Sequence, residues 1–219
     1  IGPVKLRGSR ASPSFKLDGV RWTTRVRWFD RNFVGDADGV ISPHDLPFAD
    51  IVFQGLGKAS SPPFVLKTSY TEDRGVFVPV KVAGKKVAVR FSLLQDQSFA
   101  TGSAGALLAR QQAGVLEGQA IQHHIGWDVF RPTRRLMLTQ PWTLGAFSFR
   151  TLLVRLRDYR GKSVLRSADA EPGPSDIVVT GRAGARQSAE HFMTVGLDQL
   201  QTCETIIYSR RTEQLSFRC

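Results

Sequence analysis

Two segments of this sequence occur twice, in the same order along the chain. The segment VISPHDLPFADIVF at 40–53 aligns with TVGLDQLQTCETIIY at 194–208, with one residue inserted in the later copy. The segment KLDGVRWTTRVRWFD at 16–30 aligns with TLGAFSFRTLLVRLRD at 143–158. The matched positions include Leu17 with Leu144, Ile41 with Val195, Ser42 with Gly196, Leu46 with Leu200, and Phe53 with Tyr208. Two matched blocks in the same order predict two related structural units.

The later pair of blocks is preceded by a region that the earlier pair lacks. Residues 75 to 130 contain signals for a hairpin, a loop and a helix, whereas the first block begins already at residue 16. We therefore expect the chain to start in the middle of its first unit. The predicted division is an incomplete first unit over 1–62, a proline-containing connection at SSPPF, and a complete second unit over 63–219.

Strand signals dominate the sequence. GVFVPVKV at 75–82 and VAVRFSLL at 87–94 flank the short glycine-containing turn AGKK, which predicts a β-hairpin. RRLMLTQ and AFSFRTLLVRL flank PWTLG in the same way. The best helix signal is AGALLARQQ, with Ser103 as its predicted N-cap and Gly114 at its end. The sequence predicts a mainly β protein with small helices.

The chain is strongly basic. It has 30 Lys and Arg against 19 Asp and Glu, a net charge of +11, which makes binding to a polyanion one candidate function. The arginines are dispersed over predicted strands such as VRWTTRVRWFD at 20–30, where alternation places most of them on the solvent face. No zinc-finger spacing or RNA-binding aromatic motif accompanies them, which argues against a nucleic-acid partner. No apolar run reaches the roughly 18 residues of a membrane-spanning helix.

Cys203 and Cys219 are the two cysteines of the chain. The segment between them has the pattern of a strand, a polar turn and a strand, with Arg211 at its midpoint. Opposed residues of a hairpin lie about 4.5 to 5.5 Å apart at Cα, which a disulfide can bridge. The sequence therefore predicts a Cys203–Cys219 disulfide, with two free thiols as the alternative. A disulfide, together with a chain that starts at Ile1 instead of Met, favours a processed periplasmic or secreted protein.

Several of these segments resemble the pepsin and retropepsin superfamily of aspartic peptidases. VPVKVAGKKVAVRFSLL resembles the opening hairpin of a lobe, TVGLDQL the late turn of two apolar residues and a glycine, and ETIIYSRRTEQLSFR the closing hairpin. GVISPHDLP is similar to the late turn of an earlier lobe. The resemblance covers most of 16–219 and implies an aspartic-peptidase-like, double-lobed β barrel whose first lobe is incomplete. An unrelated β barrel or sandwich would show the same strand alternation.

The resemblance implies a catalytic loop at LLQDQSFAT, residues 93–101. In this family each lobe contributes an aspartate, a hydroxyl residue and a glycine. The two carboxylates share one proton, because like charges about 3 Å apart cannot both ionise, and together they act on water and substrate as base and acid. Neither Asp-Thr-Gly nor Asp-Ser-Gly occurs in this sequence.

Two registers of the loop are open. If the apolar pair ending at Leu94 sets the register, Gln95 takes the catalytic position, and an amide cannot take up a proton at neutral pH. If the loop has one additional residue, Asp96 takes that position, with Gln97 in place of the hydroxyl residue and Ser98 in place of glycine. Asp96 is therefore the candidate catalytic residue, and Gln95, Gln97 and Ser98 are candidates for hydrogen bonds to a substrate.

Three functions follow from these observations. The first is a secreted or periplasmic aspartic-peptidase-like protein with a degenerate second catalytic loop, which binds an extended peptide or protein segment between its lobes by strand addition. The second is an active aspartic endopeptidase whose main catalytic Asp lies in an N-terminal segment of the same precursor that completes lobe one. The third is a basic polyanion-binding β domain. No cofactor is indicated, and the adjacent His123 and His124 face opposite sides of a strand, which argues against a shared metal.

Overall fold

The structure is a computed structural model that describes residues 7–33, 39–55, 57–156 and 190–219. These residues are mainly β, which confirms the predicted class. The strands are β1 Gly8–Ala11, β2 Ser14–Leu17, β3 Val20–Thr23, β4 Val26–Phe29, β5 Asp50–Gln54, β6 Phe64–Lys67, β7 Ser69–Thr71, β8 Gly75–Val82, β9 Lys85–Phe91, β10 Phe99–Ala100, β11 Gly114–His124, β12 Phe130–Leu144, β13 Phe147–Arg155, β14 Phe192–Val195, β15 Thr205–Ser209 and β16 Gln214–Arg218. The helices are a 3₁₀ helix, Pro43–Asp45, followed by α1 Gly102–Gln112 and α2 Leu197–Leu200.

The sheets of the described residues are open. The largest has eight strands in the order β11-β12-β13-β10-β14-β9-β8-β7, and a second has the order β5-β15-β16-β6. β1 pairs with β4, and β2 with β3, in two short ribbons. Strands β11 and β7 end the largest sheet without pairing with each other, so the closed barrel of the prediction does not form within the described part of the chain.

β14 lies between two strands that follow each other in the sequence. It runs parallel to β9 and antiparallel to β10, with Val195 opposite Phe91. The connection between β9 and β10, residues 92–98, therefore crosses over the end of β14. Gly196 follows that end directly and lies beneath the connection. This topology brings the segment predicted to be the catalytic loop onto the late glycine turn.

The predicted hairpins form with small shifts in their turns. β8 and β9 turn at Ala83 and Gly84, whose φ angles are 46° and 75°, so Lys85 belongs to the strand instead of the turn. Ala83 is an alanine at a positive φ, which glycine adopts more readily. β12 extends to Leu144, and Gly145 at a φ of 60° begins the turn into β13. The second predicted turn is therefore shorter than PWTLG.

Helix α1 begins and ends at other residues than predicted. Thr101 is the N-cap, because its hydroxyl accepts a hydrogen bond from a backbone N–H of the first turn, and Ser103 lies inside the helix. Ala113, in the left-handed conformation, ends it. Gly114 instead begins β11, where a Cβ would lie 2.8 Å from a methyl group of Leu138. That glycine serves the packing of the helix against the sheet.

The repeated blocks have similar local structure in both units. In the first block, the β2–β3 hairpin and the end of the β12–β13 hairpin have two-residue turns at matched positions. In the second block, the 3₁₀ helix matches α2, and β5 matches β15. The matched cross-strand pairs are Leu17–Val20 with Leu144–Phe147, and Phe15–Trp22 with Trp142–Phe149, each aromatic pair having ring centroids 5.4 Å apart. The repeat in the sequence is thus a repeat in the structure of these blocks.

The two units are joined through their matched strands. β5 and β15 lie side by side and antiparallel, with Val52 opposite Ile207. Val52 and Ile207 are also the residues that the sequence alignment matches, so the pairing is symmetric about this position. On either side of this pair, Ile51 lies opposite Tyr208 and Phe53 lies opposite Ile206, so Ile51 faces the match of Phe53 and Phe53 faces the match of Ile51, as a two-fold axis requires. A local two-fold relation therefore connects the second blocks of the two units.

The buried core belongs to the second unit. Among the described residues, every buried side chain lies at or after Thr68, and the N-terminal hairpins contain only exposed and half-buried residues. The largest fully buried side chains include Phe149, Phe217, Leu107, Leu136 and Met193. β5 adds the half-buried Ile51 and Phe53 to this core. The buried core of the described residues is therefore built from Thr68 onward, and β5 packs against it through these two half-buried side chains.

Cys203 and Cys219 form the predicted disulfide. The register of β15 and β16 pairs Thr205 with Arg218, so both cysteines lie beyond the strand ends. They are not directly opposite each other, which differs from the pairing that the sequence pattern predicts. Both cysteines are buried. The bridge fastens the end of β16 to the turn that follows α2.

Candidate functional site

Main-chain hydrogen bonds fasten the 92–98 loop to the α2 turn. Two of them come from the first N–H groups of α2, which have no partner within the helix. The bonds run from Ser92 N to Val195 O at 2.9 Å, from Leu197 N to Gln95 O at 2.8 Å, and from Asp198 N to Asp96 O at 3.0 Å. The path of the loop is therefore set by its backbone, independently of the side chains of Gln95 and Asp96.

Gly196 is required by the closeness of this contact. A Cβ at this position would lie 2.6 Å from the carbonyl oxygen of Gln95 and 2.7 Å from the carbonyl carbon of Gln97. Both are backbone atoms, so neither can rotate away as a side chain would. The φ of Gly196, −101°, is accessible to any residue. The need for glycine is therefore steric, and it follows from the loop that crosses over it.

Ser98 and Asp198 hold the end of the loop. The backbone N–H and the hydroxyl of Ser98 both donate to Oδ1 of Asp198, at 2.9 and 2.7 Å. Gly196 N in turn donates to the Ser98 hydroxyl at 3.0 Å. Ser98 is 1% exposed, so its hydroxyl is used within the protein. The hydrogen bonds of Ser98 in the structure are therefore internal ones that support the loop, and its contact with a substrate stays a prediction. Asp198 had no part in the sequence-based prediction, although it comes two residues after Gly196 of the late turn.

The other predicted site residues lie on the outer side of the loop. Asp96 and Gln97 are exposed, and Gln95 is half-buried. A fixed backbone with one carboxylate and two amides can offer hydrogen bonds to an extended segment. The catalytic role of Asp96 and the binding roles of Gln95 and Gln97 stay predictions.

His123 lies near this loop. Its ring centroid is 4.9 Å from that of Phe99, the first residue of β10. Burial lowers the pKa of His123, the neighbouring His124 lowers it further, and the Asp96 carboxylate opposes the shift. The neutral imidazole is therefore favoured at pH 7. From the sequence, His123 was only a possible metal ligand, and the adjacent His124 argued against that role.

The matched turn of the first unit has a different environment. Ser42 caps the 3₁₀ helix, with its hydroxyl accepting a hydrogen bond from His44 N at 3.3 Å. Nδ1 of His44 forms a hydrogen bond of 2.8 Å with the hydroxyl of Tyr208, and the His44 ring stacks on Tyr70 with centroids 3.6 Å apart. Burial lowers the pKa of His44 and raises that of Tyr208. This turn therefore connects the first unit to two tyrosines of the second.

A shallow groove of about 420 Å³, widely open to solvent, lies where the two units meet. Its walls combine hydroxyl groups, one aromatic ring and an ion pair. The lining residues are Ser12, Thr23, Thr24 and Arg25 from the first unit, and Tyr70 and Glu72 from the second. None of the residues predicted from the loop lines this groove. The sequence contained no signal for it, because its two walls are about 50 residues apart in the chain.

Two arginines of the first unit bind one carboxylate of the second. Arg25 and Arg27 are two residues apart in an extended segment, so their side chains lie on the same side. Both guanidinium groups contact Oε1 of Glu72, and Nη2 of Arg27 does so at 2.6 Å. The side chains of Arg25, Arg27 and Glu72 are 51%, 47% and 59% exposed. These values confirm that the arginines lie on the solvent side of the strand.

A second contact between the units is aromatic. Trp127, in the turn between β11 and β12, packs edge-on against Phe33 and Phe29, with centroid distances of 4.5 and 5.6 Å. A Cβ at the preceding Gly126 would lie 2.7 Å from the Phe33 ring. The ion pairs with Glu72 and this aromatic cluster thus attach the N-terminal hairpins at two separate places.

Comparison of the sequence with protein-family models and with curated proteins finds no match. In the described ranges, no helix combines the length and the apolar character that crossing a membrane requires. Within the same residues, no three His, Cys, Asp or Glu side chains come together as a group that could hold a metal ion. The loop and the groove are therefore the features of the structure that bear on function.

Proposed function

We propose that this is a periplasmic or secreted aspartic-peptidase-like protein that binds an extended peptide or protein segment between its two units without cleaving it. The observation that carries the proposal is the groove at the junction, whose walls come from both units. Hydroxyl, guanidinium and carboxylate groups can pair with the N–H and C=O groups of a peptide, and the Tyr70 ring offers an apolar surface. The buried disulfide supports an oxidising compartment.

The order of elements in the second unit supports the family resemblance. The β8–β9 hairpin, the crossing loop, α1, the hairpins of β11 to β13, the Gly196 turn with α2, and the closing β15–β16 hairpin follow one another as expected of one lobe. The symmetric pairing of β5 with β15 supports a second, related lobe. Both features depend on matched positions along the chain and do not follow from strand content alone.

The chemistry of the loop favours binding over hydrolysis. Aspartic peptidases require two carboxylates that share a proton and activate water. Asp198 is a second carboxylate at this loop, but one of its oxygens accepts two hydrogen bonds from Ser98. Asp198 therefore holds the loop in place, and Asp96 is left without the hydroxyl and glycine that would orient it.

Incubation with unstructured peptides at acid and at neutral pH tests this proposal. The protein, together with any upstream segment of its precursor, should retain peptides that mass spectrometry shows to be intact. Cleavage at acid pH that pepstatin inhibits would contradict the proposal. If Asp96→Ala also abolished that cleavage, the active endopeptidase would be the better description.

The net charge of +11 favours a second candidate, the binding of a polyanion. Such binding depends on the release of counterions, so its affinity for DNA or heparin should fall steeply as the salt concentration rises. A flat salt response would exclude this function. Strong salt-dependent binding in the absence of peptide binding would favour it over the peptide-binding proposal.

A further inference from the structure

We propose that the groove selects peptides that carry a carboxylate group, and that Glu72 occupies the place of this carboxylate in the free protein. The inference rests on the proposed peptide-binding function and adds the class of ligand. It concerns one corner of the groove, where Arg25 and Glu72 line the wall and Arg27 binds the same oxygen of Glu72 from beside it.

The corner has more hydrogen-bond donors than its own carboxylate uses. Nη1 of Arg25 and Nη2 of Arg27 converge on the same oxygen of Glu72. A guanidinium group has five N–H donors and pairs best with a carboxylate through two parallel hydrogen bonds. Two positive charges share one negative charge here, so a net positive charge is left at this end of the groove. A second carboxylate fits both the charge and the free donors.

The internal ion pairs are open to exchange. All three side chains are about half exposed, so solvent and solutes reach them. Ion pairs as exposed as these add little to the stability of a protein, because water screens them and holding the long side chains is entropically unfavourable. A carboxylate from a ligand can therefore replace Glu72 at the arginines with little loss to the protein.

The rest of the groove is already in place for an extended ligand. Tyr70 stacks on His44, and His44 is hydrogen-bonded to Tyr208, whose side chain is buried. The ring of Tyr70 is thus held from the core side, and it does not have to be ordered when a ligand binds. The entropic cost of binding a ligand is smaller when the protein groups that contact the ligand are already ordered. Ser12, Thr23 and Thr24 add hydroxyl groups along the same groove.

The neighbouring charges do not cancel the positive corner. Asp73 follows Glu72, but it has Arg74 at 4.0 Å. Arg10 lies opposite Arg27 in the pairing of β1 with β4 and adds a further positive charge on that ribbon. Asp45 acts on Tyr70 and on the His44–Tyr208 cluster, and in that cluster Arg210 acts in the opposite sense.

Three pools of short acetylated peptides of equal length, with random neutral residues at the other positions, test the inference. The first pool has a central Glu and an amidated C-terminus. The second has Gln in place of this Glu, and the third has the same Gln with a free C-terminal carboxylate. The binding of each pool to the immobilised protein is measured by mass spectrometry at low ionic strength. The third pool separates recognition of a side chain from recognition of a chain end.

We expect the Glu pool, the free-carboxylate pool or both to bind about 1.5- to fivefold more tightly than the Gln pool, the range for one exposed ion pair. Glu72→Gln should increase this preference, because it removes the internal competitor. Arg25→Gln combined with Arg27→Gln should abolish the preference, so that the Glu, free-carboxylate and Gln pools bind this variant equally. Glu204→Gln is the matched control, since it breaks an exposed ion pair with Arg218, 3.3 Å long, outside the residues that line the groove.

Each outcome separates this inference from the function on which it rests. Equal binding of all three pools would overturn the carboxylate preference and leave peptide binding standing. Binding of none of the pools would overturn both. If Glu72→Gln reduced the binding of every pool alike, Glu72 would shape the groove instead of competing for it, and the inference would be wrong. Thermal unfolding of each variant shows whether the variant is folded.

Discussion

The two matched turns of this protein use one position for different purposes. In the second unit, Asp198 lies two residues after Gly196 and turns back to hold the crossing loop through Ser98. The residue at the same position of the first unit is His44, which reaches out to Tyr208 of the other unit. One turn therefore stabilises its own unit, and the other joins the two units.

The first residue of each turn explains the difference. Gly196 has no side chain, so the 92–98 loop can pass over it at less than the distance a Cβ would need. Ser42 has a side chain, which it uses to cap its own helix. No loop can cross over Ser42 as closely as this loop crosses over Gly196. The glycine and the crossing loop therefore depend on each other, and four changes test the difference between the two turns.

Reduction of the disulfide has the largest expected effect, because only the second turn is followed by a bridge. Cys203 and Cys219 are 16 residues apart, and opening a loop of this size removes about 3 kcal/mol of stability, mainly through the entropy of the unfolded chain. Urea unfolding with and without reductant measures the difference. The Cys203→Ser, Cys219→Ser double variant should reproduce it. A loss below about 1 kcal/mol would mean that the second turn is held equally well without the bridge.

Gly196→Ala should remove about 2 to 3 kcal/mol, because its Cβ meets backbone atoms that can move only together with the loop. The matched variant Ser42→Ala loses only the helix cap, at about 1 kcal/mol or less. Urea midpoints of the two variants make the comparison directly. Equal losses would show that the two turns are packed alike after all.

Asp198→Ala should remove about 2 kcal/mol, since it leaves the N–H and the hydroxyl of Ser98 buried without their acceptor. Ser98→Ala removes one of these donors, and the double variant should be less destabilised than the sum of the single ones, because the two residues share the interaction. Additive losses in urea unfolding would argue against a direct coupling between them.

The smallest effect is on the pH dependence of stability. Burial lowers the pKa of His44 in the folded protein, so the unfolded chain binds the proton more readily. Stability should therefore fall as the pH decreases below about 6.5, the usual pKa of histidine. His44→Gln keeps a hydrogen-bonding group for Tyr208 and should make this fall shallower.

His123 contributes separately to the pH dependence of stability, because burial also lowers its pKa, and His123→Gln serves as the comparison. The free energy of unfolding from urea titrations between pH 5 and 8 checks both; an unchanged slope in His44→Gln would mean that His44 does not titrate differently on folding.

Much of the fold was readable from local patterns. Strand alternation located the hairpins, and the two repeated blocks identified segments that share their local structure. The cysteine spacing identified the disulfide. The hairpin pattern predicted cysteines directly opposite each other, whereas the strand register places both of them beyond the strand ends. The predicted N-cap at Ser103 was two residues late, because the chain leaves β10 at Ala100 and Thr101 is the first residue able to cap the helix.

The candidate site was readable only in part. The sequence located the 92–98 loop, since it follows a buried strand and precedes a helix. It did not show that Asp198 holds Ser98, or that Arg25 and Arg27 meet Glu72 across the groove. Those pairs join residues about 45 to 100 positions apart, and no local pattern encodes such a distance.

The succession of hairpins along the chain, the repeat and the cysteine pair follow from the sequence alone, because periodicity and spacing are properties of residues near each other in the chain. Tertiary structure decided the rest. The insertion of β14 between β9 and β10 placed Gly196 under the loop, and the pairing of β5 with β15 brought the two units together. Contacts of this kind depend on which distant strands pair in a sheet and pack on the core. The same residues therefore acquire their roles only once the chain is folded.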